Sequence, residues 1–203
     1  MAGRESVARE AARLIYNGVT KEYKHAKEMA SRNIGISSMP SNHEVAVELD
    51  SLAEGLEGDD RRELLIAMRK AALRFMRDLE NLKPVLTGSV WRGTARKGSD
   101  VDINVYTNTP SEIETKIKEA GYQITKSDDV IAVIRGLTSR SRHIIVMWEG
   151  FDIEVVVRPL EEIDNMERCE IYGDLKKGLT LRELEKFMSA EPLRKFVPSR
   201  RYR

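Results

Sequence analysis

Two acidic residues inside an apolar run are the feature that most constrains the fold of this chain. Asp100 and Asp102 alternate with Val101, Ile103 and Val105. Residues two apart in a β-strand point to the same face, so the alternation predicts a strand with both carboxylates on one face. Two neighbouring like charges are unfavourable unless a cation lies between them. A divalent metal such as Mg²⁺, which prefers carboxylate oxygens, is the usual solution.

Three glycine-containing turns precede this strand. Gly88 and Ser89 form the first turn. Arg92 immediately precedes the glycine of the second turn, and Lys97 immediately precedes the glycine of the third. Glycine lets backbone N–H groups approach a phosphate closely, and hydroxyl or cationic side chains complete the contacts. The segment therefore predicts a phosphate-binding site beside a metal site, which is the combination that nucleotidyl transfer requires.

Composition limits the class of protein. The 203 residues carry a net charge of +1, which argues against a strongly basic nucleic-acid protein. Cys169 is the single cysteine, which excludes a disulfide or a cysteine-based zinc site within one chain. The first residues lack an apolar signal core, and no apolar run approaches the roughly 20 residues of a membrane span. We expect a cytoplasmic protein with no membrane partner.

The spacing of apolar residues divides the chain into three parts. Helical periodicity predicts a helical region over residues 1–57. Residues 58–165 begin with the longest helix and then alternate strands with short helices, which predicts an α+β domain. A last helix and a basic tail occupy residues 166–203.

Local signals predict individual ends and turns. Thr109 followed by Glu112 is the pattern of a capping box at the start of a helix. Asp128 and Asp129 are typical of a turn, here between two short strands. Residues 149–150 are a two-residue connection that predicts a β-hairpin.

Residues 86–105 resemble the polymerase-β-type nucleotidyltransferase superfamily. The pattern of that superfamily is a hydrophobic residue, Gly-Ser, a short helix and a strand with Asp-x-Asp. Gly88 and Ser89 fill the first part, and Asp100 and Asp102 fill the second. The Gly-Ser-x-x-Arg-Gly-Thr form is especially similar to the archaeal CCA-adding and oligoadenylate-synthetase branches. The resemblance covers residues 83–159 and implies an α+β nucleotidyltransferase fold, with a mixed β-sheet flanked by helices and a helical N-terminal region.

The resemblance also implies a chemistry. A nucleoside monophosphate passes from a nucleoside triphosphate such as ATP to an acceptor, pyrophosphate leaves, and two Mg²⁺ ions take part. Asp100 and Asp102 hold the ions, Ser89 and nearby amides hold the β and γ phosphates, and Arg92 and Lys97 are further candidates for the phosphates.

A third carboxylate is implied on a neighbouring strand, and two residues compete for it. Asp152 and Glu154 share one face of the apolar strand after Gly150. The spacing from Gly150 favours Glu154 as the third catalytic and metal-binding acid, and Asp152 is the alternative. His25, His43 and His143 lie in separate segments without ligand spacing, which favours surface or structural roles.

The acceptor is left open among a nucleic-acid 3′ end, a small molecule and a protein side chain. RNA or another nucleic acid is suggested by a basic tail with interleaved aromatic residues. The residues of that tail are Arg194, Lys195, Phe196, Arg200, Arg201, Tyr202 and Arg203. The alternative function is a catalytically inactive protein of the same fold that binds a nucleotide or a nucleic acid.

Overall fold

The structure, a computed structural model, describes residues 2–134 and 137–198. They form two compact units. The first contains the described residues of Met1–Arg61, Arg168–Leu175 and Val197–Arg203, and the second contains Arg62–Glu167 and Lys176–Phe196. The predicted C-terminal region, residues 166–203, is thus divided between the units.

The first unit is helical. Helix α1 spans Ala2–Tyr16, α2 spans Tyr23–Ile34, and α3 begins at Asn42 and runs to Asp78, with non-helical backbone angles at Gly58. The core between the helices is built from small and branched residues, namely Val7, Ala8, Ala11, Ala12, Ile15, Ala26, Ala30 and Val45.

A capping box fixes the start of α3. The Ser41 hydroxyl accepts the Glu44 N–H at 3.2 Å, and the Glu44 carboxylate accepts the Ser41 N–H at 2.8 Å. Arg4 of α1 donates to the same carboxylate at 2.5 Å. Burial raises the pKa of Glu44, but the hydrogen bonds from Arg4 and Ser41 prevail and lower it to about 2.

A six-stranded mixed sheet organises the second unit. Its strands are β1 (Val85–Leu86), β2 (Val101–Tyr106), β3 (Gln123–Ile134), β4 (Leu137–Trp148), β5 (Phe151–Arg158) and β6 (Leu179–Thr180). Their order is β3-β4-β5-β2-β1-β6, and only the pairing of β2 with β5 is parallel. Helices α4 (Gly88–Arg92), α5 (Pro110–Glu119) and α6 (Leu181–Ala190) accompany the sheet, together with the part of α3 from Arg62 onward. This architecture confirms the predicted α+β fold with a mixed sheet flanked by helices.

The core lies on one face of this sheet. Ile103 of β2 and Val155 of β5 are fully buried in the same cluster as Phe75 of α3 and Ile113 of α5. The intervening residues of β2 and β5 are half-buried or exposed. The two-residue alternation that buries the apolar side chains therefore directs Asp102 to the opposite, more open face.

Two local predictions are wrong. Asp128 and Asp129 lie inside the continuous strand β3, not in a turn. Asp129 accepts two hydrogen bonds from Arg142 on the neighbouring strand β4, at 2.8 and 3.1 Å, so a cross-strand ion pair overrides the local turn preference. Thr109 forms no side-chain cap, because its hydroxyl lies 3.1 Å from that of Thr107 instead.

The predicted hairpin at residues 149–150 is confirmed. Glu149 and Gly150 join β4 to β5, and both have positive φ, at 49° and 83°. Positive φ at both central residues matches the right-handed twist of the flanking strands, as in a type I′ turn. The turn sets the register of β4 on β5, pairing Met147 with Asp152.

Candidate active site

The parallel pairing of β2 with β5 brings two predicted carboxylates together. Asp102 lies directly opposite Glu154 in the register, and both are half-buried on the open face of the sheet. Asp152 is exposed and lies one residue before the first residue of β5 that pairs with β2. Asp100 is half-buried and lies just before β2 begins. Of the two candidates for the third acid, the register places Glu154, rather than Asp152, beside Asp102.

Gly88 packs directly against the carboxylate of Asp102. Its φ is +65°, and a Cβ atom added to it would overlap Asp102 Oδ2. The Thr87 N–H donates to the Asp102 carbonyl at 2.8 Å, which fixes the turn between β1 and α4 onto β2. The start of α4 and the carboxylate can approach this closely only because residue 88 has no side chain.

Ser89 and Lys97 occupy different positions around this turn. Ser89 is half-buried in the first turn of α4, and its carbonyl accepts the Thr94 N–H at 2.9 Å. Lys97 is exposed in a turn closed by the Ser99 N–H, which donates to the Arg96 carbonyl at 2.9 Å. Ser89 therefore adjoins the glycine that contacts Asp102, whereas Lys97 is placed by a separate loop.

Arg92 is buried, with only 5% of its surface exposed. Its Nη1 donates to the Phe196 carbonyl at 2.9 Å, and its own carbonyl accepts the Phe196 N–H at 2.9 Å. The guanidinium also lies 4.1 Å from the centre of the Trp91 ring. These contacts bind the C-terminal segment to α4, and contact of Arg92 with phosphate stays a prediction.

Arg69 is a structural residue that the sequence reasoning missed. It is 1% exposed and donates to the carbonyls of Val90 and Trp91 at 3.1 and 3.0 Å, and to those of Pro192 and Arg194 at 2.7 and 3.0 Å. Burial lowers its pKa to about 10, so it remains charged at neutral pH. Its position beside Met68 on the apolar side of α3 is the signal that could have revealed a buried cation.

The first three residues of the basic tail, Arg194, Lys195 and Phe196, belong to the second unit. The Arg194 guanidinium lies 5.3 Å from the ring of Phe187 and 5.5 Å from that of Phe196. A Cβ atom added to Gly93 would lie 2.9 Å from the Arg194 carbonyl oxygen, so the segment follows α4 closely. The predicted contributions of Arg200, Arg201, Tyr202 and Arg203 lie outside the described residues.

His143 on β4 contacts the candidate third acid. Its Nδ1 lies 2.7 Å from Glu154 Oε1, and its Nε2 lies 3.0 Å from the Ser141 hydroxyl. The three side chains form one hydrogen-bonded row across β4 and β5. The hairpin is the signal that could have found this contact, because its register pairs His143 with Val156, two residues after Glu154.

The donor set suits a hard divalent cation, although the carboxylates are not arranged around one point. Across residues 2–134 and 137–198, no group of three His, Cys, Asp or Glu residues is positioned to hold an ion. Asp102 and Glu154 are nevertheless adjacent, and Gly88 leaves the space that the Asp102 carboxylate occupies. Mg²⁺ binds through one or two carboxylates and keeps several waters, so these residues fit it by chemistry.

No helix in the described part of the chain could cross a membrane.

Comparison with known proteins gives a family match that covers strands β1 to β5 of the sheet. Residues 69–172 match the family model described as "Nucleotidyltransferase domain". Among solved structures, the chain is similar to Cid1 in complex with the UTP analogue UMPNPP, at 16% identity over 55% of this chain and 36% of that one, with a TM-score of 0.35. It is also similar to a cytoplasmic RNA terminal U-transferase, at 16% identity over 57% of this chain and 34% of that one, with a TM-score of 0.32. The chain spans about a third of the length of these proteins. No curated protein sequence matches it.

Proposed function

Because the chain belongs to the nucleotidyltransferase domain family, we propose that it transfers a nucleoside monophosphate from a nucleoside triphosphate to an acceptor hydroxyl, with Mg²⁺ as cofactor and release of pyrophosphate. The membership confirms the resemblance identified from the sequence. The observation that carries the proposal is that Asp102 pairs with Glu154 and that the Asp102 carboxylate packs against Gly88.

The carboxylates have the metal-binding role in this proposal. Asp100, Asp102 and Glu154 hold Mg²⁺, which, when bound, neutralises charge that develops on the transferred phosphoryl group. Asp102 is the best positioned of the three, because Gly88 and the Thr87 hydrogen bond hold its backbone and carboxylate in place. We leave Asp152 outside this set, a choice supported by its exposure and by its position before the paired residues of β5.

The turn at the start of α4 binds the triphosphate. Gly88 and Ser89 supply backbone N–H groups and a hydroxyl next to Asp102, which suits the β and γ phosphates. Lys97, exposed on its turn, neutralises the distal phosphates. Phosphoryl transfer depends mainly on positioning and charge stabilisation, so groups of this kind account for most of the catalysis.

Glu154 takes the proton of the acceptor hydroxyl. Glu154 is the residue of β5 that pairs with Asp102, and His143 contacts its Oε1 at 2.7 Å. A carboxylate oriented in this way accepts a proton without first reorganising. His143 is accordingly a positioning residue for Glu154.

The experiment uses the full chain with each of the four nucleoside triphosphates, labelled at the α-phosphate, in Mg²⁺. Short RNA, a cell-extract small-molecule fraction and a protein fraction serve as acceptors. Transfer of label with stoichiometric pyrophosphate release supports the proposal and identifies the acceptor. Triphosphate binding without transfer or pyrophosphate release in every combination would instead support the inactive binding protein.

A further inference from the structure

A cavity of about 490 Å³ lies at the carboxyl ends of β2 and β5. Asn108 follows β2 and Pro159 follows β5, while Ile131 and Arg140 come from the paired strands β3 and β4. Cavities of this size are typical of small-molecule sites, and ligands in open sheets commonly bind beyond the carboxyl ends of parallel strands.

Much of the wall of this cavity belongs to the face of the sheet opposite Glu154. Arg142 pairs with Val157, which is buried in the core and alternates with the residues of the open face. Arg140 precedes Arg142 by two residues, so strand alternation places it on the core side as well. A ligand held there by Arg140 occupies a different face from the carboxylates and leaves them accessible.

The arginines of the cavity differ in how far their hydrogen-bonding capacity is used. Arg142 is held by Asp129 at 2.8 and 3.1 Å and by Glu114 at 3.3 Å. Arg158 donates from Nη1 to Glu167 at 2.9 Å. Arg140 is exposed, and it acts on Asp129 through its charge, which adds to the hydrogen bonds from Arg142 in lowering the pKa of that carboxylate. Its planar fork of donors is the geometry that binds phosphate in a bidentate manner.

An apolar surface lies beside this guanidinium. Ile131 is 63% exposed and lines the cavity, whereas Val130, its neighbour in β3, lies on the other face of the strand. Ile131 is the cross-strand partner of Arg140. A large apolar side chain exposed next to a guanidinium favours a ligand that has both an anionic and an apolar part.

We propose that this cavity binds a phosphate monoester of nucleotide size. Arg140 binds the phosphate, and the flat base lies against Ile131, its cross-strand partner. A free nucleotide and the terminal nucleotide of a polynucleotide share this chemistry. The proposal does not rest on the proposed transfer reaction: none of the carboxylates assigned to that reaction lines the cavity, although Ser141, which contacts His143, does.

Methyl NMR of the full-length protein in EDTA tests the site, with AMP as the probe. Saturable shifts of the Ile131 methyl groups are expected, with no change at Ile145, which pairs with Glu154 on the other face. Arg140→Gln should weaken AMP binding at least tenfold. Arg182→Gln is the matched control, since Arg182 is an exposed arginine of α6, which follows the strand at the opposite edge of the sheet. Amide spectra of each variant verify the fold.

A second arm identifies the source of the ligand. A 5′-phosphorylated tetranucleotide that binds at least tenfold tighter than AMP, with the same Arg140 dependence, identifies a polynucleotide end, and equal or weaker binding identifies a free nucleotide. Shifts confined to Ile145, equal binding by the two arginine variants, or no saturable shift with either probe would each overturn the proposal. Asp102→Asn should leave this binding unchanged, which separates its failure from that of the proposed function.

Discussion

His143 Nδ1 lies 2.7 Å from Glu154 Oε1, and this contact joins β4 to the strand that pairs with the Asp102 strand. The Ser141 hydroxyl, 3.0 Å from His143 Nε2, occupies the other nitrogen of the ring and so restrains its orientation. Glu154 is thereby held at the position where the register brings it opposite Asp102.

Replacement of His143 tests its role in positioning Glu154. Loss of an outer partner of a metal-binding group typically costs about 10–100-fold in metal affinity or activity. We expect His143→Asn to lower kcat by that order, to raise the Mg²⁺ concentration needed for half-maximal rate, and to leave KM for the triphosphate nearly unchanged. Steady-state kinetics across a Mg²⁺ series measure all three. An equal loss of kcat at every Mg²⁺ concentration would contradict the positioning role.

The two candidates for the third acid can be separated by conservative substitutions. Glu154→Gln should reduce turnover by about 100-fold or more, because it removes the carboxylate paired with Asp102. Asp152→Asn should stay within a few-fold of wild type, since Asp152 is exposed. Pyrophosphate release is the measurement. If Asp152→Asn abolished turnover and Glu154→Gln did not, the roles of the two acids would be exchanged.

Gly88→Ala should abolish turnover for a steric reason. Its Cβ atom would overlap the Asp102 carboxylate, which must then move. Gly98→Ala is the matched control, because Gly98 also has positive φ, at 78°, but nothing lies within 4 Å of its added Cβ atom. Both variants carry backbone strain of about 1–3 kcal/mol, which thermal unfolding measures. Comparable turnover in the two variants would contradict the steric account.

Arg69→Met should strongly destabilise the second unit. Four backbone carbonyls would lose their donor, and each buried unsatisfied acceptor costs about 1–3 kcal/mol, so we expect a loss of at least about 3 kcal/mol. Lys70→Met, at the exposed neighbouring position of α3, should change stability by less than about 0.5 kcal/mol. Urea unfolding followed by the fluorescence of Trp91 and Trp148, both in the second unit, measures both variants, and similar midpoints would contradict the role of Arg69.

Acid should weaken the start of α3. The pKa of Glu44 is lowered in the folded protein from 4.5 to about 2, so its contribution to stability is fully present above pH 4.5 and is lost as the pH falls toward 2. Glu44→Gln should therefore be less stable than wild type at pH 7, and the difference should shrink below pH 4.5. Thermal unfolding of both proteins between pH 2 and 7 checks this. A difference that is independent of pH would exclude the carboxylate as its source.

Local patterns predicted the elements of the site better than their assembly. The apolar alternation around Asp102 indicated β2, and residues 149–150 indicated the hairpin. Both depend on neighbouring residues only. The pairing of Asp102 with Glu154 depends on a parallel register between strands far apart in the chain, which neither strand determines alone.

Contacts between residues far apart in the chain also explain why the sequence did not predict the burial of Arg69 or the strand position of Asp129. Arg69 is buried where the backbone of Pro192 and Arg194 packs against it, and the residues around position 69 do not predict this distant contact. The residue type of Asp129 predicts a turn, but Asp129 forms an ion pair with Arg142 across strands β3 and β4. In each case a partner distant in sequence decides the environment of a charged side chain.

Pyrophosphate release by Asp102→Asn tests the central claim most directly. The wild-type protein should release pyrophosphate in Mg²⁺ together with transfer of labelled nucleoside monophosphate, and the variant should lose both. Its unfolding temperature without metal should stay equal or rise, because one of two neighbouring like charges is removed. Wild-type rates in a folded Asp102→Asn protein would contradict the account.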